Sequence, residues 1–144
     1  LPRLGAFSFR AGGFFQNNSS ILPAFVEHVV TAAASTRDLD VLLDVYCGVG
    51  LFGISAAKRF QQVIGVEVDE IAVSLARRNA EVQGASNTKF LAADAADGLE
   101  QVLAEFKAKS SSMVVVVDPP RQGLSKEARE ALLNLHPRRL VYVS

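Results

Sequence analysis

Val114-Val-Val-Val117 is an unbroken apolar run, with no polar residue at alternate positions. A strand with one wet face alternates. A strand that is apolar on both sides has to be covered on both, which is the situation of a central strand in a parallel sheet flanked by helices. The rest of the chain fits that constraint. Strand-like segments at 41–46, 62–67, 88–92, 113–117 and 139–143 alternate with helical patterns near 52–59, 70–82, 97–107 and 125–134. Strand–helix alternation of this kind predicts a doubly wound, mostly parallel α/β sheet of the Rossmann-like class, with successive loops emerging at one sheet edge. Gly84 stands where a helix ending near residue 82 needs a C′ residue.

Before this core, Phe7-Ser-Phe9 alternates like a short half-buried strand, and Ala11-Gly-Gly13 breaks it. Residues 17–20 offer N-cap side chains for a helix carrying Phe25, Val26, Val29, Val30 and Ala33 at helical spacing. The expected organisation is therefore an N-terminal strand and helix over 1–37 leading into a core over 38–144. There is no initiator methionine, and Leu140-Val-Tyr-Val-Ser144 reads as a strand still in progress, so further chain is expected beyond it.

With 144 residues, 49% of them hydrophobic, one ordinary domain is expected. Fifteen basic residues balance fifteen acidic ones, which excludes a global field drawing the chain onto a polyanion. Arg77-Arg78 and Arg138-Arg139 are read as solvated helix or strand-end residues. The one cysteine, Cys47, rules out an internal disulfide and fits a reducing, intracellular setting. No apolar segment is long enough to span a bilayer, and no metal site is expected.

Two loops carry the chemistry. Gly48-Val-Gly50-Leu-Phe-Gly53 matches the glycine pattern of nucleotide-cofactor turns, and Glu67 lies where an acid at the end of the second strand can hold ribose hydroxyls. A nicotinamide dinucleotide therefore has to be weighed. Asp44 argues against it: a carboxylate at the end of the first strand would repel a diphosphate, whereas S-adenosylmethionine brings an ammonium and a sulfonium there. Asp94, after the third strand, either accepts from an adenine amino group or caps the next helix. Tyr46 either walls the methionine end or packs beneath the loop. Cys47 is read as a packed residue rather than a nucleophile.

The second loop, Asp118-Pro-Pro-Arg-Gln-Gly123, holds an acid at the tip of the buried strand and stiffens the backbone with two prolines that lack N–H donors. A fixed carboxylate and unpaired carbonyls suit the edge of a planar base. Amino-methylating enzymes continue this loop with an aromatic residue, and RNA 5-methylcytosine enzymes place a cysteine in it. Here Arg121 follows and no cysteine is present; both departures argue against those chemistries and leave uracil C5 as the better candidate.

Phe14-Phe-Gln-Asn-Asn18, Asp44-Val-Tyr-Cys-Gly-Val-Gly50, Gly65-Val-Glu-Val-Asp69, Asp118-Pro-Pro-Arg-Gln-Gly123 and Val141-Tyr-Val-Ser144 occur in the order found in RNA (uracil-5-)-methyltransferases. The chain resembles that family over nearly its whole length, and its eukaryotic tRNA branch most. The resemblance implies a class I S-adenosylmethionine-dependent methyltransferase fold and 5-methyluridine formation in RNA, with tRNA the expected substrate. Ribosomal RNA, or a non-catalytic cofactor-binding module, is the alternative. It also implies that Gln16, Tyr46, Glu67 and Asp118 line the cofactor site beside Asp44, Gly48, Gly50 and Asp94. Asp118 would be catalytic and close to the target base, Phe14 near the flipped uracil, and Arg121 against RNA. Leu51 departs from the polar residue common in bacterial relatives, so no cofactor contact carries over there.

Uracil C5 is a weak nucleophile. Relatives activate it by adding a cysteine thiolate to C6, transfer the methyl group, and remove the C5 proton with a general base. In the family that cysteine follows a Tyr-Val-Ser segment and the base is a later glutamate. Both are expected beyond Ser144, so these 144 residues are expected to bind cofactor without methylating RNA.

Overall fold

The computed structural model describes residues 5–11 and 20–144. Five strands, β1 (Val41–Val45), β2 (Gln62–Glu67), β3 (Thr88–Ala92), β4 (Met113–Val117) and β5 (Arg139–Tyr142), form one sheet in the order β3-β2-β1-β4-β5. Every pairing is parallel. The helices are α1 (Leu22–Ala33), α2 (Leu51–Ala56), α3 (Glu70–Val82), α4 (Ala95–Phe106) and α5 (Lys126–Leu135). From β1 the chain winds outward to β3, and α4 then carries it back across to β4. This reversal makes the crevice between β1 and β4 the topological switch point.

Strand periodicity sorts the two layers. Leu43, Val45, Ile64, Val66, Val115 and Val117 pack against α4 and α5. Leu42, Val63, Val114 and Val116 pack against α1 and α2 on the other face. All four valines of the 114–117 run are buried, two on each side. Each such burial contributes about 1.5–3 kcal/mol relative to exposure.

Helix boundaries follow local chemistry. Asp69, Asp94 and Ser125 cap α3, α4 and α5 with side-chain acceptors. Asp94 starts α4 at residue 95 rather than near 97. Gly84 closes α3 in a Schellman pattern, its N–H bonding Glu81 O and that of Ala85 bonding Ala80 O.

Three expectations need correcting. Residues 5–10 form no strand. The Asn79 side chain takes the place of a neighbouring strand, with Ser8 N donating to its Oδ1 (2.8 Å) and its Nδ2 donating to Ser8 O (3.0 Å). The N-cap of α1 is Ile21, which gives no side-chain cap; Pro23 in the first turn lacks the N–H that would need one. Residues 17–19 of the expected cap lie outside the described residues. Arg77 and Arg139 are not merely solvated: Arg77 donates to Phe90 O (2.9 Å), and Arg139 donates to Ala32 O at the end of α1 (3.0 Å).

Candidate active site at the β1–β4 switch point

Register places both chemistry-bearing loops at one edge. Val45 pairs with Val66 on one side and Val117 on the other, so Tyr46, Glu67 and Asp118 leave three adjacent strands at the same level. Asp118 N donates to Val45 O and Cys47 N to Val66 O, extending the ladder one step into each loop.

The glycine turn is held by backbone geometry. Tyr46, Gly48 and Gly50 have φ of 66°, 52° and 86°, and Gly50 N donates to Cys47 O (2.8 Å). A side chain is costly in this left-handed region, and glycine enters it freely. A Cβ on Gly48 would meet nothing within 4 Å, so the turn presents bare backbone to open space. At Gly53 the reason is packing: a Cβ there would lie 3.0 Å from Val63 Cγ1 and 3.2 Å from Asp44 Oδ2.

Glu67 ties this turn to the next strand. Its Oε2 accepts from Gly48 N (3.0 Å) and its Oε1 from Asp69 N (3.0 Å). A carboxylate offers about four acceptor sites, so both oxygens keep capacity for hydroxyl donors.

Beside Glu67 lies a cavity of about 500 Å³, walled by Tyr46, Glu67, Val68, Asp94, Glu100 and Ser125 among others. Asp94 serves as helix cap, its Oδ1 accepting from Asp97 N (3.0 Å), while also facing this cavity. Both readings of that residue are thus geometrically compatible. Burial, then the neighbouring Asp94, Tyr142 and Glu67, pushes the Tyr46 phenol above its ordinary range.

Asp44 is placed differently from its neighbours. It is fully buried in β1 under the turn, and its Oδ2 accepts from Gly53 N (2.9 Å). Its Oδ1 has no hydrogen-bond partner among the described residues. Burial pushes this carboxyl up to about 7, the Gly53 bond opposes the shift, and Asp118 and Glu67 add to it. Raised from an unfolded value near 3.8, it stabilises the fold fully below that pH, and this contribution is lost as pH rises through about 7. Asp44→Asn keeps an acceptor for Gly53 N without the ionisation cost. It is expected to raise the melting temperature of the unliganded domain at pH 8, with the gain shrinking towards pH 4, as thermal melts across that range would register. Equal shifts at both ends would contradict the assignment.

Cys47 is buried, and burial together with Asp44 and Glu67 holds its thiol well above the usual value. It stays a packed thiol, without the thiolate that nucleophilic attack requires. Arg121 is exposed at the second position of a turn closed by Gly123 N donating to Pro120 O (2.7 Å). Phe14 and Gln16 lie outside the described residues.

Several residues here escaped sequence reasoning. Val68 is exposed immediately after Glu67, and Asp97 and Glu100 sit one helical turn apart on the wall formed by α4. Their helical spacing was legible, but the face it would turn to the cavity was not. Asn79 is buried and its Nδ2 also donates to Val49 O (3.1 Å), joining the N-terminal segment to the glycine turn. A lone polar residue on the apolar face of α3 was the available signal.

The switch-point crevice, the glycine turn after β1 and the strand-end acid of β2 define a doubly wound domain of the Rossmann-like class. The family model for tRNA (uracil-5-)-methyltransferase matches residues 3–144, so the chain belongs to that family. The tRNA (uracil(54)-C(5))-methyltransferase of Saccharomyces cerevisiae is 36% identical over 143 residues, covering 96% of this chain and 22% of the yeast protein. Its Schizosaccharomyces pombe counterpart is 34% identical, over 96% of this chain and 27% of that protein. The chain thus spans about a quarter of the length of these relatives. Among solved structures, the Pyrococcus abyssi tRNA (uracil-54, C5)-methyltransferase in complex with S-adenosyl-L-homocysteine superposes with a TM-score of 0.70 and 32% identity, covering 90% of this chain and 29% of that one. A SAM-dependent methyltransferase from Agrobacterium tumefaciens, 16% identical with a TM-score of 0.61 over 85% of this chain and 44% of its own, shares the fold alone.

Among the described residues, no helix is long and apolar enough to cross a membrane, and no cluster of His, Cys, Asp or Glu could hold a metal ion.

Proposed function

We propose that this chain is the cofactor-binding part of an S-adenosylmethionine-dependent methyltransferase that acts on C5 of uridine in RNA, with tRNA as the substrate class. The observation that carries the reading is the emergence of the glycine turn and the acid–proline turn from adjacent strands at one sheet edge. Two ligands bound there would meet across the switch point. The residues fit the cofactor: bare backbone at Gly48, ribose acceptors on Glu67, and a cavity whose carboxylates Glu67, Asp94, Asp97, Glu100 and Glu127 complement a cation. When bound, S-adenosylmethionine supplies an electrophilic methyl group.

The chain's own residues position and orient. Glu67 would fix the ribose, Asp94 the adenine edge, and Asp118 the edge of the uracil, with Pro119 and Pro120 stiffening the backbone around it. The acidic cavity repels phosphates, so RNA would approach from the Arg121 side of the site. A base has to leave its stack to reach Asp118, which costs a few kcal/mol and requires contacts to the surrounding RNA. Phe14 and Gln16 are assigned to this site on family resemblance. The buried Cys47 thiol is unsuited to attack on C6, so the nucleophile has to come from another residue.

Calorimetry on this chain is expected to give saturable binding of S-adenosylhomocysteine and none of NAD. Binding of NAD alone would replace this reading with a dehydrogenase. For the RNA substrate, the full-length protein carrying this domain is expected to release tritium from tRNA labelled at uridine C5 when supplied with S-adenosylmethionine. Methyl transfer without tritium release would place the reaction at another atom.

A further inference from the structure

Three carboxylates gather around the glycine turn, with Asp44 buried beneath it. Asp44 pairs with Gly65 of β2 and Val116 of β4, and Glu67 and Asp118 lie two residues further along those strands, on the same face. Two strand steps and one interstrand spacing put their backbones within about 8 Å of Asp44. Glu67 is satisfied by two backbone N–H groups. Asp44 has one, from Gly53, and keeps a fully buried oxygen with no hydrogen-bond partner among the described residues.

Among the described residues, the groups that bear on Asp44 are Glu67 from β2, Asp118 from β4, Cys47 from the turn and Gly53 N–H from α2, none of them a cation. A buried acid beside two other acids favours its neutral form until a positive charge arrives.

We propose that Asp44 is a specificity-determining residue that senses charge on the cofactor's sulfur, releasing its proton to solvent when the sulfonium form binds, so that the methyl donor is held more tightly than the neutral thioether product. The inference rests on the cofactor site proposed above. The proton balance is simple: the carboxyl becomes a carboxylate, one proton goes to buffer, and the new negative charge lies beneath the turn on which the positive one would rest. After methyl transfer the sulfur is neutral, Asp44 regains a proton, and the product loses that attraction. A carboxyl titrating at about 7 is poised for this exchange near neutral pH.

The test is calorimetry on the 144-residue chain at pH 7 in two buffers of different ionisation enthalpy, with S-adenosylmethionine and S-adenosylhomocysteine as probes. Relative to Asp44→Asn, the wild-type chain is expected to release roughly half a proton per S-adenosylmethionine bound, and clearly less with S-adenosylhomocysteine. Its preference for S-adenosylmethionine over S-adenosylhomocysteine should grow by up to about tenfold from pH 6 to pH 8 and stay flat in the variant. Equal proton release with the two ligands overturns the inference and leaves the cofactor site standing. That comparison needs only the wild-type chain, so it holds whether or not the variant folds. Failure of both ligands to bind overturns the cofactor site, and the inference with it.

Discussion

Replacing Glu67 with alanine is expected to weaken S-adenosylhomocysteine binding by roughly a hundredfold, the effect of losing the two charge-assisted hydrogen bonds proposed to ribose hydroxyls. The loss has a second source. Glu67 accepts from Gly48 N and Asp69 N, so its carboxylate also fastens the glycine turn to the start of α3. Without it, two backbone donors turn to water and the turn gains freedom that ligand binding has to remove. Glu67→Gln separates the contributions, since one amide oxygen can satisfy only part of what two carboxylate oxygens do. An intermediate affinity is expected, with a thermal midpoint close to wild type. Calorimetric titration of the three proteins decides the matter: alanine and wild-type chains binding equally well would remove Glu67 from the cofactor site.

Gly65→Ala is expected to lower the melting temperature by about 5–10 °C, corresponding to an overpacking cost of about 2–3 kcal/mol in a domain of this size. Gly65 faces Asp44 across the β1–β2 pairing. A Cβ there would lie 2.5 Å from Phe90 Cδ1 and 2.8 Å from Cys47 Sγ. Neither neighbour yields easily: the Phe90 ring is buried under α3, and Cys47 belongs to the glycine turn. Strain therefore passes to the turn, and cofactor affinity should fall along with stability. Phe90→Leu in the same chain should recover part of the loss, because it opens space where the new methyl would sit. Additive destabilisation in the double variant would show that the ring is not what the methyl meets.

Much of the fold was legible because local and global signals agree. In α3, the Asp69 cap, the apolar spacing of Val73, Ala76 and Ala80, and the Gly84 stop all point to the same helix. The all-valine strand announced two covered faces, and the structure covers both. Phe7-Ser-Phe9 misled because alternation over three residues has no register of its own. Which partner supplies the hydrogen bonds there was settled by Asn79, seventy-one positions away from Ser8. Arg77 and Arg139 were read as surface charges for the same reason: the carbonyls they bond, Phe90 O and Ala32 O, belong to other elements.

The candidate site divides along the same line. Glycine spacing, the strand-end acid and the proline-stiffened loop are local patterns, because turn conformation and strand ends depend on neighbouring residues, and they named the turn residues and the strand-end acid directly. The environment of each carboxylate is not local. Asp44 and Glu67 both read as cofactor acids, yet one is sealed beneath the turn with an unpartnered oxygen and the other borders the cavity. Chain order determined an alternating α/β domain with two candidate functional loops. Only the packing of β1 between β2 and β4 decided that Asp44 is buried while Glu67 borders the cavity, because burial and charge proximity are set by contacts between strands far apart in sequence.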